Sequence, residues 1–582
     1  MKTQPAPLMD VYFRDIRDGT TDQPLLQVMG VTCYPKKRYA DRRKYRPVCV
    51  RTYYRVQTLC EVAKSLHQPI ENYPDFNSKL IVLSYDGVPE SKSGGVSSSL
   101  EVVCLRFHGC ATIFPLVIIR VTDKTYKKSS HAVFGPIVEE IASLGLTVEF
   151  IVADAPARAF ARGQKNHAGY LSCDLCVASG RKFSKRRIPS ELNPDNATTG
   201  VHFPHYHGQT FPLRTMEGLL LIMDHLDEWT KTEDQRCCGY TGRSPFLQLP
   251  GFNVIEDIPV DYMHLVALGV VKKLFFLTTK TRRTFRGRLG GVRQKVCASL
   301  ELQRVPKCFP RRARMDFTHF KASEWRAFGI YFFPILVDAL DKEEMRPLRD
   351  LWLLMAFFTR AHLLPDKEFQ SLEEMLRRKN ESLEAIGIEF LKVLADTFGD
   401  KELGYNMHVY GQHLSTIRRR RPLHEASAFS FENAYGSILK NFTVGTSSIG
   451  KQALENMLVL ANNGSHSCKR TVSFHPGSLR ARATRDDLVQ GKDGRFYELD
   501  IGSLDGNNCL ARPLNLGMYR PRQCPTILPS FARVHVYVYR GYMDSPTVTL
   551  DVRKDIRTKA IMVVFETSKI LINVPLETMT DC

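Results

Sequence analysis

Apolar positions change their spacing several times along the chain, and each change marks a different kind of element. Residues 80–85 (LIVLSY) form a short apolar run that closes on Asp86-Gly87, a pair with turn chemistry. Residues 100–107 alternate apolar and polar side chains, and residues 113–121 form another apolar run. Val133, Ile137, Ile141 and Leu144 then recur at helical spacing, and residues 148–153 give a fourth strand pattern ending at Asp154. The predicted order is three strands, a helix and a fourth strand. One acid closes the first strand and another closes the fourth.

The flanking pattern is different. Residues 1–78 read as a basic N-terminal segment, aromatic over 34–54, with a short helical pattern at 58–67. Residues 155–430 read mostly as helix with basic loops, clearest at 216–230 and 324–362, and residues 429–441 as a further helix. Beyond about residue 480 the texture turns β-rich, as in VHVYVY at 534–539 and the runs at 547–552 and 561–565. Neither an internal repeat nor a long low-complexity tract is visible.

Composition sharpens this picture. The 582 residues include 81 Lys+Arg against 61 Asp+Glu, a formal net charge of +20. Such a surplus favours polyanionic partners, because each cation seated on a phosphate releases condensed counterions. Fifteen cysteines without a repeating framework suit a reducing compartment better than a disulfide scaffold. No signal-type apolar segment opens the chain and no apolar stretch is long enough to span a bilayer, so a soluble protein is expected. Basic clusters at 36–38, 181–187 and 418–421 are compatible with nuclear import.

Asp86 and Asp154 carry the first candidate chemistry. Two-metal phosphoryl transfer needs carboxylates from distant chain positions at one point, holding divalent ions about 3.5–4 Å apart. Magnesium suits such hard oxygen ligands and keeps waters for a substrate phosphate. In an RNase-H-like sheet the first strand supplies one acid, its neighbour the fourth strand supplies the second, and a later helix supplies the third. Asp86 and Asp154 occupy the first two places.

A second constellation is Cys173-Asp-Leu-Cys176, one half of a possible zinc site. Its preferred partner is His408-Val-Tyr-Gly-Gln-His413, whose spacing suits the second half of a Cys2His2 site. His202, His205 and His207 form a competing cluster, with His205 and His207 the alternative pair.

Several stretches together resemble the DDE transposases of CACTA (En/Spm)-like elements. They are LSYDGVPESKS (83–93), DAPAR (154–158), HAGYLSCDLC (167–176), FPLRT (211–215), DIPVDYMHLV (257–266), NMH (406–408) and FSFEN (429–433). That family is related in mechanism to the V(D)J recombinase catalytic core, whose order is Asp, Asp, CxxC, HxxxxH, Glu. The resemblance implies a polynucleotidyl transferase with Asp86, Asp154 and Glu432 holding catalytic Mg²⁺ or Mn²⁺. It implies structural Zn²⁺ on Cys173, Cys176, His408 and His413, and Arg158 and Lys165 as nucleic-acid contacts. Asp154 to Cys173 and His413 to Glu432 are each 19 residues, so each zinc pair lies a short tether from a carboxylate. Asp261 and His264 belong to a matching stretch with two expected roles, support of the active site or the capping of a helix, and the capping role leads.

The implied fold is α/β: an RNase-H-like mixed sheet interrupted by a large, mainly helical insertion, with a small β-rich C-terminal domain. The expected boundaries are 1–78, 79–177, 178–405, 406–475 (the zinc histidines and the Glu-bearing helix) and 476–582. Double-stranded DNA at transposon ends and targets is the implied partner, bound by a homodimer or larger assembly in the nucleus, with no membrane. Relatives carry a longer region before the first strand than the roughly 80 residues here, which implies a truncated or domesticated copy. An active transposase and a domesticated DNA-binding or regulatory protein without catalysis are the two expected functions.

Overall fold

A computed structural model describes residues 14–17, 24–35, 47–55, 77–89, 99–108, 113–121, 130–182, 201–204, 211–226, 239–280, 289–303, 317–340 and 342–439. Towards the C-terminus it describes 488–493, 495–505, 508–518, 536–543, 546–551, 554–559, 561–564 and 570–573. The chain is mixed α/β and divides into two compact units. One gathers residues 1–166, 214–261 and 428–468; the other gathers 167–213, 262–427 and 469–582.

The first unit is built on a seven-stranded sheet. Its strands are β1 (Arg14–Arg17), β2 (Pro24–Pro35), β3 (Pro47–Arg55), β4 (Asn77–Pro89), β5 (Ser99–His108), β6 (Phe114–Val121) and β7 (Thr147–Ala153). Their spatial order is β1-β2-β3-β6-β5-β4-β7. Only β4 and β7 pair in parallel; the other neighbours are antiparallel. The predicted strands therefore form, and β1–β3 lengthen the same sheet instead of standing apart as a basic segment. The helical pattern at 58–67 lies outside the described residues.

Parallel pairing of β4 with β7 requires a crossover, supplied by α1 (Ser130–Ser143). Directly after β7 comes α2 (Ala155–Arg162), started by Asp154 and Pro156 and stopped by Gly163 at φ 68°, a left-handed cap that suits glycine. On one face of the sheet Tyr85 meets Phe134 of α1 edge-on and Phe160 of α2 in a stack, with ring centroids 5.1 and 5.7 Å apart. That face, with α3 (Met216–His225) and the apolar residues of 240–258, makes the core. The opposite face carries Ser84, Asp86 and Cys104 and receives α4 (Phe429–Leu439).

The second unit has two parts. Its helical part includes the helical pattern read over 324–362, which the structure divides into several segments. Ala322–Ala327 passes through a π-helical stretch to Phe333–Ala339, and a separate helix starts at Arg346. Pro334 and Pro347 lie at the starts of the later segments, where a missing N–H costs nothing. The helix Tyr405–Arg420 packs on Leu383–Phe398 through two glycines. A Cβ on Gly387 would lie 2.1 Å from the Gly411 carbonyl oxygen, so only hydrogen at this crossing lets the backbones meet. A short pair, β8 (Arg181–Lys182) and β9 (Val201–His202), precedes these helices.

The other part is the β-rich C-terminal region. It contains β10 (Leu488–Gly491), β11 (Phe496–Asp505), β12 (Asn508–Met518), β13 (Val536–Tyr542), β14 (Val548–Asp551), β15 (Ile556–Lys559), β16 (Ile561–Val564) and β17 (Ile570–Asn573). These run in the order β15-β10-β11-β12-β13-β17-β16, with β14 paired to β12. Among the described residues no helix is long and apolar enough to cross a membrane.

Candidate metal centres

The register of the parallel ladder aligns the first two acids. Tyr85 is paired with Ala153, so the next residues, Asp86 and Asp154, lie at the same level of neighbouring strands. Asp154 does end its strand and caps α2, accepting from the Ala157 N–H at 2.8 Å. Asp86 does not end its strand. β4 continues to Pro89, with Asp86 opposite Val102 in the antiparallel ladder, so Asp86-Gly87 is no turn. What stops beside Asp86 is β7, whose last paired residue, Ala153, lies opposite Tyr85.

The third acid arrives on α4. Tyr435 lies nearly one turn beyond Glu432, and its hydroxyl hydrogen-bonds Ser84 Oγ at 2.8 Å. Ser84 precedes Asp86 by two residues and so shares its face of the sheet. Phe431 is fully buried, with the Arg106 guanidinium 5.7 Å from its ring centroid. With the helix fixed in this way, Glu432 reaches hydrogen-bond contact with Asp86. All three carboxylates are half-buried and lie in the same unit.

The electrostatics follow from that crowding. Burial pushes the Asp86 carboxyl up to about 8, and its hydrogen bond to Glu432 and the charges of Glu432 and Asp154 push the same way; only the Gly87 N–H opposes them. A carboxyl-to-carboxyl hydrogen bond needs a proton between the two groups. Asp154 acts on Asp86 through its charge alone.

This has a measurable consequence without divalent ions. The folded protein holds a proton on Asp86 that the unfolded chain loses near its ordinary value of 3.8. Stability therefore falls as pH rises from about 4 to about 8 and is flat beyond. Asp86→Asn is expected to raise stability at pH 8 by at least about 1 kcal/mol, seen as about 3 °C in Tm. The gain should vanish towards pH 4, and Mn²⁺ should stabilise the unaltered protein but not the variant. Melting curves of both proteins across that range, with and without Mn²⁺, check this; parallel pH profiles would contradict it.

The Cys/His set lies in the second unit. Cys173 and Cys176 are fully buried, and their sulfurs accept from the N–H groups of Leu175 and Ala178, each at 3.5 Å. The helix Tyr405–Arg420 brings both histidines to the cysteines. Cys176 Sγ lies 3.4 Å from His408 Nε2, and the four donor atoms all lie within 4.8 Å of one another. Ligands at zinc–sulfur and zinc–nitrogen distances would stand about 3.6 Å apart on a tetrahedron. His413 Nε2 is buried with no hydrogen-bond partner, as a nitrogen reserved for a metal would be. Phe203 stacks on the His408 ring at 4.7 Å and 20°. The donor set, spacing and burial fit a metal such as zinc.

Other expected residues fall elsewhere. Arg158 is not at the surface: it is 1% exposed and its guanidinium donates to the Ala153 carbonyl at 3.0 Å, which removes it as a phosphate contact. Lys165 is half-buried and its backbone N–H donates to the Gly239 carbonyl. His205 and His207 lie outside the described residues, while His202 pairs with Arg181 across β8 and β9. His264 opens the π-helical run Met263–Val271. In the basic cluster at 418–421, Arg418 is buried against Asp366 and Arg419 is paired with Glu373 and Glu384. Sequence reasoning missed the Ser84–Tyr435 bond. Asp261, expected to cap a helix or support the site, accepts from the Ala428 N–H at 2.8 Å, just before the helix Phe429–Leu439.

No family model matches the chain, and no curated protein matches it.

Proposed function

We propose that the chain is a DDE-type DNA transposase. In this reading the first unit is an RNase-H-like catalytic core interrupted by a helical insertion, and Asp86, Asp154 and Glu432 are ligands for two Mg²⁺ or Mn²⁺ ions. The observation that carries it is the contact of Glu432 with Asp86 beside Asp154. Glu432 contacts Asp86 and Asp154 lies within its electrostatic reach, at the corner where β4 runs past the end of β7. The strand order β6-β5-β4-β7, with one parallel pair, supports the fold assignment.

Each ligand has a distinct hold. Asp86 is set by the β4 ladder, Asp154 by its capping bond to Ala157, and Glu432 by the seating of α4 on Ser84. Bound ions would activate the attacking oxygen and stabilise the leaving one in an in-line displacement. In the first step water bonds to phosphorus, and the 3′-oxygen departs as a hydroxyl. In the second that 3′-hydroxyl attacks a target phosphodiester and displaces its 3′-oxygen. The net charge of +20 suits DNA as the substrate, and that function would place the protein in the nucleus. A homodimer on paired transposon ends follows from the need to cut both together.

Cys173, Cys176, His408 and His413 are proposed to hold structural Zn²⁺, neutralised by two thiolates. The test of function is cleavage and strand transfer of oligonucleotides carrying terminal repeats, with Mg²⁺ or Mn²⁺. Activity abolished by Asp86→Asn supports the reading. DNA binding without metal-dependent cleavage would favour a domesticated binding protein instead.

A further inference from the structure

Asp261 is completely buried, yet it is a carboxylate and belongs neither to the acid cluster nor to the Cys/His set. It is the last residue of the first unit before the chain leaves, and Ala428 is the first on its return. Its Oδ1 accepts from the Ala428 N–H at 2.8 Å, a bond spanning 167 positions. Ala428 in turn accepts, through its carbonyl, the backbone N–H of Glu432 at 2.8 Å. Two hydrogen bonds thus join the Asp261 carboxylate to the backbone of Glu432.

Asp261 is itself held from the other carboxylates' side. Arg162, at the end of the helix that Asp154 starts, is buried and donates to the carbonyls of Val254, Ile255 and Ile258. The Asp257 carbonyl accepts from Ile151 of β7 at 2.8 Å. Asn253 and Asp257 brace the same loop, Asp257 Oδ2 accepting the Asn253 N–H and Asn253 Oδ1 the Ile255 N–H. The segment leading to Asp261 is therefore fixed to β7 and α2, the elements that place Asp154. A helix N-terminus also favours the negative charge electrostatically.

From this connection we propose that Asp261 is a positioning residue that sets the start of α4, and with it Glu432, relative to Asp154. It does so wherever the chain between 262 and 427 travels. The inference rests on the carboxylate reading above, so its test has one arm that needs no metal.

Asp261→Asn keeps an acceptor oxygen of the same shape; Asp261→Ala removes it. Hydrogen exchange of residues 429–435 in the full chain is expected to rise at least about fivefold in D261A and stay within about twofold in D261N. Mn²⁺ binding, followed by electron paramagnetic resonance, is expected to weaken about tenfold or more in D261A and remain within about threefold in D261N. Unchanged exchange and binding in D261A overturn the inference. So does equal loss in both variants, which would give the acid a role of its own.

Should D261A fail to fold, Ala428→Pro removes the donor and leaves the acid, and it is expected to reproduce the D261A pattern. Collapse of both variants overturns positioning in favour of a core role. If the unaltered protein shows no Asp86-dependent Mn²⁺ binding, the metal reading fails, and the exchange arm still decides whether Asp261 sets α4.

Discussion

Glu432→Gln is expected to lower metal-dependent strand cleavage by about 10³-fold or more, while DNA affinity stays within about threefold. The size follows from the chemistry. Ions on phosphate oxygens contribute several kcal/mol of transition-state stabilisation, and every 1.36 kcal/mol is tenfold in rate. Gln keeps the shape and a neutral oxygen but cannot balance a divalent charge. Its amide can still hydrogen-bond Asp86, so the fold should survive. Asp86→Asn should lose as much, and the double variant little more, because residues acting as one unit are not additive. The check is single-turnover cleavage alongside a DNA-binding titration. Loss of binding in parallel with cleavage would mean that Glu432 acts on DNA affinity or fold instead.

The largest effect on stability is expected at the Cys/His set. Cys176→Ser should abolish bound zinc and lower stability by more than about 4 kcal/mol, seen as a Tm fall of about 10 °C. Cys176 is fully buried and its sulfur is 3.4 Å from His408 Nε2, so losing the ion leaves buried polar groups facing one another. The cluster also ties residue 173 to residue 413, 240 positions away. Cys297→Ser, a cysteine outside the cluster, should leave both quantities unchanged. Elemental analysis and melting of the two variants check this. A C176S protein with unaltered metal content and Tm would remove zinc from the account.

Much of this arrangement was legible in the sequence because it depends on short-range patterns. Apolar runs at 80–85, 113–121 and 148–153 and the alternation at 100–107 marked four strands, because period and composition are read locally. Cys173 with Cys176 and His408 with His413 were each readable as pairs, and the structure brings those four together. Glu432 was not separable from other helical acids without the family resemblance, because its selection depends on where α4 docks.

The misreadings have physical causes. Asp86-Gly87 has turn chemistry, but the antiparallel ladder with β5 carries the strand through it. Arg158, after a strand end, looked like a surface cation, yet it faces inward and donates to the Ala153 carbonyl. Asp261 was open between helix capping and support of the site, and the helix it caps could not be named locally, since its partner is 167 residues away. β1–β3 were read by charge and aromatic content, although Val48, Val50, Tyr53 and Tyr54 suit a strand equally well.

The most direct test of the central claim is anomalous diffraction at the manganese edge from crystals of the full chain grown with Mn²⁺. Two peaks about 3.5–4 Å apart, enclosed by Asp86, Asp154 and Glu432, are the predicted result. Manganese absent from that corner, or a Glu432 carboxylate turned away from it, would contradict it.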